Sequence, residues 1–285
     1  MTVTLAQLRA VVAAVDHRSF TEAAASLRMS QSAVSHAISA LERSLGGRVV
    51  HRDPPVRPTA LGERMLPHAR AALASVGSLE DAARTPQLTG VVRLATVTTV
   101  YRAVLPRFLR RWESRLPDVD VQVFEGDDTE MSVWMEGGMV DAAVLVDPPT
   151  IPPGARVLAT DDYRAVVRRD HPFARESSIS LAELLEDPLI VSSGGYEEQI
   201  RELHHQAGLP FESQRRVREL ATLMTMVEKG LGVSILPSLG AGLLSNRLVM
   251  LPLTPHVERN LVLSGPQSRP WHPLVTALLE ELAIP

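Results

Sequence analysis

The chain has 285 residues, of which 45% are hydrophobic and 22% charged, so it can bury one large core or two smaller ones. It contains no cysteine, which excludes disulfides, thiol catalysis and thiolate metal sites and fits a reducing compartment. A formal net charge of -4 and a pI near 6.2 argue against a protein that coats nucleic acid over its whole surface.

The charge is unevenly distributed along the chain. Residues 1–60 hold seven arginines and four acidic residues, so the acidic excess lies in the remainder. The N-terminus lacks the basic start of an export signal, and no segment approaches the roughly 18 apolar residues of a membrane span. We therefore expect a cytoplasmic protein without a membrane partner, whose basic end is the N-terminal one.

Three short helices are predicted at the N-terminus. Apolar residues from Leu5 to Val15 recur at helical spacing, and this first helix is expected to end near His17. Ser19 stands three residues before Glu22, the arrangement of a capping box, and predicts the start of a second helix. Ser30 is placed to cap a third helix, so residues 19–45 have the spacing of a helix-turn-helix.

The third helix has an apolar face made of Val34, Ile38, Leu41 and Leu45. Its other face has short, mostly uncharged side chains, where a solvent-facing helix usually carries Glu, Lys and Arg. Short donors and acceptors let a helix enter the major groove and reach base edges. The candidate base-reading residues are Gln31, Ser32, Ser35, His36 and Ser39. The alternative is a serine-rich surface helix that faces only solvent.

Residues 47–59 are predicted to form a small wing, in which two short stretches meet at Pro54 and Pro55. Basic and hydroxyl side chains near the helix and wing are expected to bind DNA phosphates, which supplies affinity and salt dependence but little sequence information. The candidate phosphate contacts are Ser30, Arg48, Arg52 and Arg57. The alternative for each arginine is an ordinary solvated surface charge.

A long helix is predicted from Thr59 to about Arg84. Its apolar residues alternate at three- and four-residue steps, as in a two-stranded seam that Glu80 interrupts and Pro67 should kink. The candidate dimerisation residues are Leu66, Ala69, Leu73 and Val76. Residues 84–90 have the composition of a linker.

From Val91 onward, short apolar runs alternate with helical patterns, which is the rhythm of βαβ units on a parallel sheet. Two groups of such units favour two lobes. The expected architecture is multidomain: an all-α winged helix-turn-helix over 1–60, a linker helix and hinge over 61–89, and a two-lobed α/β domain over 90–285. Lobe 1 is expected over about 90–160 and 266–285, and lobe 2 over about 161–265.

The segment SFTEAAASLRMSQSAVSHAISALERSLGGRVVHR, residues 19–52, resembles the winged helix-turn-helix of LysR-type transcriptional regulators. The long helix and the two-lobed domain extend this resemblance over essentially the whole chain. The residues that match together are Ala23, Ala24, Leu27, Ser30, Gln31, Ser35, Ile38, Leu41, Glu42, Leu45, Gly46 and Arg52. The chain departs from the family pattern at Val11 and Val50, where aromatic residues are usual, and in the wing at Asp53-Pro54-Pro55.

This resemblance implies a sequence-specific DNA-binding transcriptional regulator that is not an enzyme and has no cofactor. It implies that the linker helices form a homodimer, that dimers pair into homotetramers, and that the C-terminal domain resembles periplasmic binding proteins with a small effector between its lobes. The implied partners are double-stranded DNA with an interrupted palindrome and the effector, and RNA polymerase is a further candidate. No metal site is expected, because His204 and His205 have no third ligand at metal spacing.

Ligands of open α/β sheets collect beyond the carboxyl ends of strands, where helix N-termini present free amides. Three turns meet this condition, and the candidate effector-binding residues in them are Thr98, Thr99, Asp128, Thr129, Ser192, Ser193 and Tyr196. The hydroxyls suit a carboxylate, and Gly194-Gly195 permits close backbone approach, whereas Asp127 and Asp128 favour a cationic or polyhydroxyl effector. Each hydroxyl or carboxylate alternatively caps only its own helix.

Three other functions are considered. A solute-binding protein would fit residues 90–285, but 89 residues precede them and no export signal is seen. A metabolic enzyme is opposed by the absence of G-x-S-x-G, G-x-G-x-x-G and P-loop motifs. A non-specific nucleoid protein is opposed by the overall acidity. The absence of cysteine also excludes peroxide sensing by thiol-disulfide exchange.

Overall fold

The computed structural model describes residues 3–83, 88–193 and 196–282, with side chains described at all of these except 81–83. The helices are α1 Leu5–Asp16, α2 Phe20–Ser26, α3 Gln31–Leu45, α4 Ala60–Ala83, α5 Thr98–Ala103, α6 Leu105–Arg115, α7 Asp128–Glu136, α8 Leu181–Leu184, α9 Glu197–Gln206, α10 Leu220–Glu228 and α11 Pro273–Glu280. The strands are β1 Val50–His51, β2 Arg57–Pro58, β3 Gly90–Thr96, β4 Val119–Glu125, β5 Ala142–Val146, β6 Arg156–Arg168, β7 Ile179–Ser180, β8 Leu189–Ser192, β9 Arg215–Val217, β10 Val233–Pro237, β11 Leu248–Thr254 and β12 Glu258–Ser264.

The first three helices pack into a small helical core that confirms the predicted helix-turn-helix. Ser30 Oγ accepts the Ala33 N–H at 3.2 Å and so caps α3. Ser19 likewise accepts the Glu22 N–H, although only this half of the predicted capping box is present. The inner face of α3 buries Val34, Ile38 and Leu41 completely, whereas Leu45 is 39% exposed. Val11 and Val50, where the family usually has aromatic residues, are fully buried in this same core.

The predicted wing is a two-stranded antiparallel ribbon of β1 and β2. Its base is held against the helices because the Val56 N–H donates to the Arg18 carbonyl at 2.9 Å. Helix α4 begins directly after the wing and packs closely on it. A Cβ added at Gly62 would lie only 2.0 Å from the Val49 carbonyl oxygen, so a residue without a side chain is required at this crossing.

Helix α4 has the predicted length and contains Pro67, but part of the predicted dimer seam is not exposed. Leu66 and Ala69 are 4% and 3% exposed within the single chain, because this half of α4 contacts α1, α7 and α11. Leu73 and Val76 are only partly buried. The prediction that all four residues face a partner helix is therefore wrong for Leu66 and Ala69.

The C-terminal region forms one continuous sheet bent into two lobes. In lobe 1, β3 pairs in parallel with β4 and β5, and β12 joins β5 antiparallel. In lobe 2, β8 pairs in parallel with β9 and β10, and β11 joins β6 antiparallel. The sheet is thus mixed, and not wholly parallel as the alternation of elements predicts, because β6 and β12 run against their neighbours.

The chain passes between the lobes twice. The long strand β6 pairs with β12 in lobe 1 as far as Asp162 and with β10 in lobe 2 from Tyr163 onward. The return crossing lies at residues 255–257, between β11 and β12. The predicted lobe 2 boundary near 265 is therefore wrong, since all of β12 belongs to the sheet of lobe 1. None of the helices in the described ranges is both long and apolar enough to cross a membrane.

Candidate functional site

The outer face of α3 is the candidate DNA-reading surface. Gln31, Ser32 and His36 are exposed, as their predicted role requires. Ser35 and Ser39 are half-buried, because the nearby wing covers part of them. Ser30, the cap of the helix, is exposed and lies within 2.9 Å of the Ser32 hydroxyl, so these two hydroxyls form a pair at the helix N-terminus.

Arg52 connects the wing to α3 through three side chains. Its guanidinium donates to Ser35 Oγ at 3.1 Å, to Ser39 Oγ at 2.8 Å and to Glu42 Oε2 at 3.0 Å. Glu42 in turn accepts the Val49 N–H at 3.0 Å. Two of the five candidate base-reading side chains are therefore hydrogen-bonded to one of the candidate phosphate contacts. This network orients the wing against α3 before any DNA is present.

Arg48, just before β1, and Arg57, in β2 of the wing, are both exposed. Neither forms an ion pair within the described ranges, so both guanidinium groups can turn toward a phosphate without breaking an existing contact. They differ in this respect from Arg52, whose contacts with the protein compete with a contact to DNA.

A cavity of about 510 Å³ lies between the two lobes. Four of the predicted effector contacts line it, namely Thr98, Thr99, Ser192 and Tyr196. Asp128, Thr129 and Ser193 do not line it, and Thr129 and Ser193 are exposed elsewhere. The predicted backbone approach at Gly194-Gly195 lies outside the described residues.

The floor of the cavity is formed by Arg259, whose side chain is 2% exposed. Arg259 on β12 lies opposite Asp161 on β6, and its Nε and Nη2 donate to the two Asp161 carboxylate oxygens at 2.6 and 2.9 Å. Its Nη2 also lies 3.5 Å from Thr99 Oγ1, and the Leu239 N–H donates to Asp161 at 3.1 Å. This buried pair therefore stands where β6 passes between the lobes and contacts elements of both.

Two further carboxyl groups, those of Asp128 and Asp147, lie close enough to Arg259 to interact with it electrostatically. Burial raises the pKa of Asp128 to about 7, and Arg259 opposes this rise while Asp127 and Asp147 add to it. Burial also raises the pKa of Asp147, whose Oδ1 accepts the Asn260 N–H at 2.7 Å. The side chain of Asp127 is already engaged within the protein, because it forms a capping box with Glu130 at the start of α7.

The mouth of the cavity is spanned by an ion pair between the lobes. Arg218, between β9 and α10 of lobe 2, donates to Glu130 on α7 of lobe 1 at 2.9 Å. The hydrogen bond from the Asp127 N–H, and then Arg218, hold the pKa of Glu130 below its usual value. The pair is largely exposed, so it adds little to stability, but it links the two lobes directly.

Helix α7 also connects the cleft with the linker helix. Its N-cap Asp127 lies beside the cavity, and its last residue Glu136 is followed closely by Gly138, which has a φ of +71°. A Cβ at Gly138 would lie 2.9 Å from both Ala71 Cα and the Arg70 carbonyl oxygen of α4. Backbone therefore meets backbone at this point, which leaves little room for lobe 1 and α4 to slide independently.

Sequence reasoning missed the residues that dominate the cleft, which are Arg102, Glu125, Glu130, Met224, Arg218, Glu219, Arg259 and its partner Asp161. Glu125 lies at the end of β4, opposite Thr96 in the register of β3, and accepts from Thr98 Oγ1 at 3.2 Å. Arg259 is in a strand with no turn or glycine signal, so nothing local indicates that it faces a cavity.

Comparison with protein families assigns both parts of the chain. Residues 5–63 match the family model described as bacterial regulatory helix-turn-helix protein, lysR family, and residues 85–283 match the LysR substrate binding domain. The chain is 31% identical over 269 residues to the HTH-type transcriptional regulator YvbU of Bacillus subtilis (strain 168), covering 92% of each protein. It is 35% identical over 241 residues to a probable hydrogen peroxide-inducible genes activator of Streptomyces viridosporus, covering 82% of this chain and 77% of that one.

Solved structures show the same architecture. A full-length OxyR variant from Pseudomonas aeruginosa matches with a TM-score of 0.77 and 22% identity, covering 99% of this chain and 95% of that one. Full-length CbnR complexed with its target DNA matches with a TM-score of 0.69 and 20% identity, covering 98% of both chains. At these identities the likeness establishes the fold, including the order of winged domain, linker helix and two-lobed domain.

Proposed function

Because the chain belongs to the LysR family of bacterial transcriptional regulators, we propose that α3 reads promoter bases and that a small molecule in the interlobe cavity controls this reading. Gln31 and His36 are exposed base-reading residues, Ser32 is a third whose hydroxyl also pairs with Ser30, and Ser35 and Ser39 contribute through their bonds to Arg52. Arg48, Arg57 and Ser30 bind phosphates. Such a regulator acts in the cytoplasm, where a bacterial chromosome lies.

The observation that carries the DNA-reading proposal is the composition of the exposed face of α3. It presents short polar groups without a carboxylate between Gln31 and Ser39, and exposed arginines stand beside it on the wing. A helix with this surface can approach the base edges of a major groove without charge repulsion from the phosphates. The sequence-specific contacts are thereby assigned to three exposed side chains.

Binding to DNA should be measured by fluorescence anisotropy with a duplex from the chain's own upstream region and with a shuffled duplex of equal composition. We expect a clear preference for the upstream duplex at moderate salt. His36→Ala and Gln31→Ala should relax base preference by roughly 1–3 kcal/mol at one or two positions. Ser177→Ala, at an exposed serine of lobe 2, is the control and should leave binding unchanged. Equal affinity for both duplexes overturns the proposal.

The signal is proposed to be a bound molecule and not an oxidised thiol. Relatives named as hydrogen peroxide-inducible genes activators suggest a peroxide signal, but this chain contains no cysteine to carry thiol chemistry. DNA binding by the purified chain should therefore be the same before and after treatment with hydrogen peroxide. A peroxide-dependent change that a thiol reductant reverses would contradict this assignment.

The functional unit is proposed to be a homodimer that pairs into a homotetramer, with contact to RNA polymerase at the promoter. The C-terminal half of α4 supports the dimer assignment, because Leu79 is 68% exposed there and Leu73 and Val76 are only partly buried. An amphipathic helix with such residues needs a partner surface. Sedimentation equilibrium should give a dimer or tetramer mass, and Leu79→Glu should lower it, while a monomer mass for the unaltered chain rejects the assignment.

A further inference from the structure

We propose that the interlobe cavity takes a zwitterionic small molecule of the amino-acid class, with its carboxylate on Arg259 and its ammonium on the carboxylates of lobe 1. This inference rests on the proposed role of the cavity as the effector site. It narrows the effector to molecules that carry both charges and a small apolar group.

The carboxylate end is defined by the unused donors of Arg259. A guanidinium has five N–H groups, of which Nε and Nη2 are directed at Asp161 and Thr99. The two N–H groups of Nη1 have no hydrogen-bond partner in the described part of the chain, although the side chain is 2% exposed and lines the cavity. These two N–H groups diverge from one nitrogen, so each can donate to a separate acceptor, and a ligand carboxylate supplies such an acceptor in a charge-assisted hydrogen bond.

Tyr196 supplies a second donor at the same end. Its side chain lines the cavity and is 8% exposed. The hydroxyl lies close to Ser192 yet makes no hydrogen bond of ordinary geometry with any described residue. A buried hydroxyl without a partner costs free energy, which a ligand oxygen can recover on binding.

The ammonium end is defined by the acidic side of the cavity. Glu125, Asp127 and Glu130 line the wall formed by lobe 1, and Glu219 faces them from lobe 2. Arg102 and Arg218 also line the cavity, but with Asp161 included the carboxylates still outnumber the guanidinium groups. A ligand that carries its own positive charge is therefore favoured over one that is only anionic.

The remaining residues that line the cavity are mostly apolar, and they define the third requirement for the ligand, which is an apolar group. The apolar residues that line the cavity include Val97, Val146, Leu220, Ala221, Met224 and Leu243. An aliphatic or thioether side chain buries its surface against these residues, whereas a polyol would leave them in contact with hydroxyl groups. Together the three surfaces fit an apolar α-amino acid better than a sugar, a dicarboxylate or an amine.

The test uses the full chain and matched sets of probes in a thermal-shift assay. The twenty common amino acids are screened first, and each hit is compared with its amine and its acid, for example leucine with isopentylamine and 4-methylpentanoic acid. We expect at least one apolar amino acid to raise the melting temperature, and neither of its single-charge analogues to do so at the same concentration. Stabilisation by the analogues equal to that by the amino acid overturns the inference, as does a screen without any hit.

Variants then locate the two charges. Tyr196→Phe keeps the packing and should weaken the affinity for the bound amino acid about tenfold, because one hydrogen bond to a charged group is lost. Arg259→Lys should weaken it further, since a lysine cannot keep Asp161 and bind a carboxylate in the same geometry. Arg110→Gln, at an exposed arginine of α6 outside the cavity, is the control and should leave the affinity unchanged. Unaltered affinity in both cavity variants overturns the inference.

The outcome of the ligand-binding test does not depend on the outcome of the DNA-binding test. Preference for the upstream duplex is measured without any small molecule, so it stands or falls independently of the probes. A chain that binds its promoter but responds only to single-charge molecules keeps the regulator function and loses the amino-acid assignment.

Discussion

Arg218 of lobe 2 donates to Glu130 of lobe 1 at 2.9 Å, so one ion pair bridges the mouth of a cavity that both residues also line. Because Glu130 is fixed by the capping box of α7, the pair joins lobe 2 to the helix that leads to the linker contact at Gly138. A shift in the closure of the lobes would therefore act on α7, whose far end packs against the linker helix.

Loss of this ion pair should open the cleft with little change in thermal stability, because the pair is exposed to solvent. Since the chain has no cysteine of its own, Val133→Cys and Leu231→Cys place two spin labels on exposed positions of opposite lobes. Arg218→Gln should lengthen and broaden the distance distribution between them. Arg201→Gln removes an ion pair within α9 and should leave the distribution unchanged, and identical distributions in both variants would refute the bridging role.

Arg52 should differ from Arg57 in how its loss affects DNA binding. If Arg52 binds one phosphate, Arg52→Ala weakens binding to all sequences alike and lowers the salt slope by about one unit. The bonds from Arg52 to Ser35 and Ser39 add a second expectation, because their loss frees two side chains of the reading face. Arg57→Ala should therefore weaken binding uniformly, while Arg52→Ala should also relax base preference in a competition assay with single-base variants. A uniform loss in both would assign Arg52 to phosphate contact alone.

The stability of the chain should fall as the pH rises through the titration of Asp128. Its pKa is raised by burial from 3.8 to about 7, so the folded state binds more protons than the unfolded state in this interval. The unfolding free energy should decrease with pH there, by at most about 1.4 kcal/mol per pH unit, and become level above the interval. Asp128→Asn should remove this dependence and exceed the unaltered chain in melting temperature at pH 8. The control is Asp120→Asn, at an exposed position, and similar pH profiles for all three chains would exclude Asp128 as the source.

Two glycines of α4 should respond in opposite directions to substitution by alanine. A Cβ at Gly62 would meet the Val49 carbonyl oxygen at 2.0 Å, so Gly62→Ala should destabilise the winged domain by about 1–3 kcal/mol or more. A Cβ at Gly77 meets nothing within 4 Å, and alanine is the better helix former, so Gly77→Ala should stabilise by roughly 0.5–1 kcal/mol. Thermal unfolding followed by circular dichroism distinguishes them, and equal shifts would show that the wing contact tolerates a methyl group.

The N-terminal domain could be predicted in detail because its signals are local. Ser30 caps α3 through an amide only three residues away, and the apolar face of α3 is visible in the spacing of Val34, Ile38 and Leu41. The same applies to the length of α4. The burial of Leu66 and Ala69 could not be predicted, since it depends on α7 and α11, which are distant in the sequence.

The residues of the interlobe cleft could be predicted only in part, because some of them come together through long-range contacts. Thr98, Thr99, Ser192 and Tyr196 could be found because they follow strands, at the sheet edge where ligands collect. Arg259 could not be found, because its partner Asp161 is 98 residues away and the two meet only through the register of β12 on β6. Strand β12 belongs to lobe 1 because it pairs with strands that are distant in the sequence. No local sequence pattern indicates this pairing.

The fit between Gly138 and α4 limits how this protein can be recombined with its relatives. At Gly138 an added methyl group would overlap the Ala71 backbone, and the +71° φ already favours glycine. In a hybrid regulator joined after Ala83, this linker helix would pack against a lobe 1 from another protein. That lobe would need a glycine at the position that packs against Ala71. A junction placed before Ala60 transfers the helix together with its own lobe, so the specificity for DNA can be exchanged while the response to the effector is inherited whole.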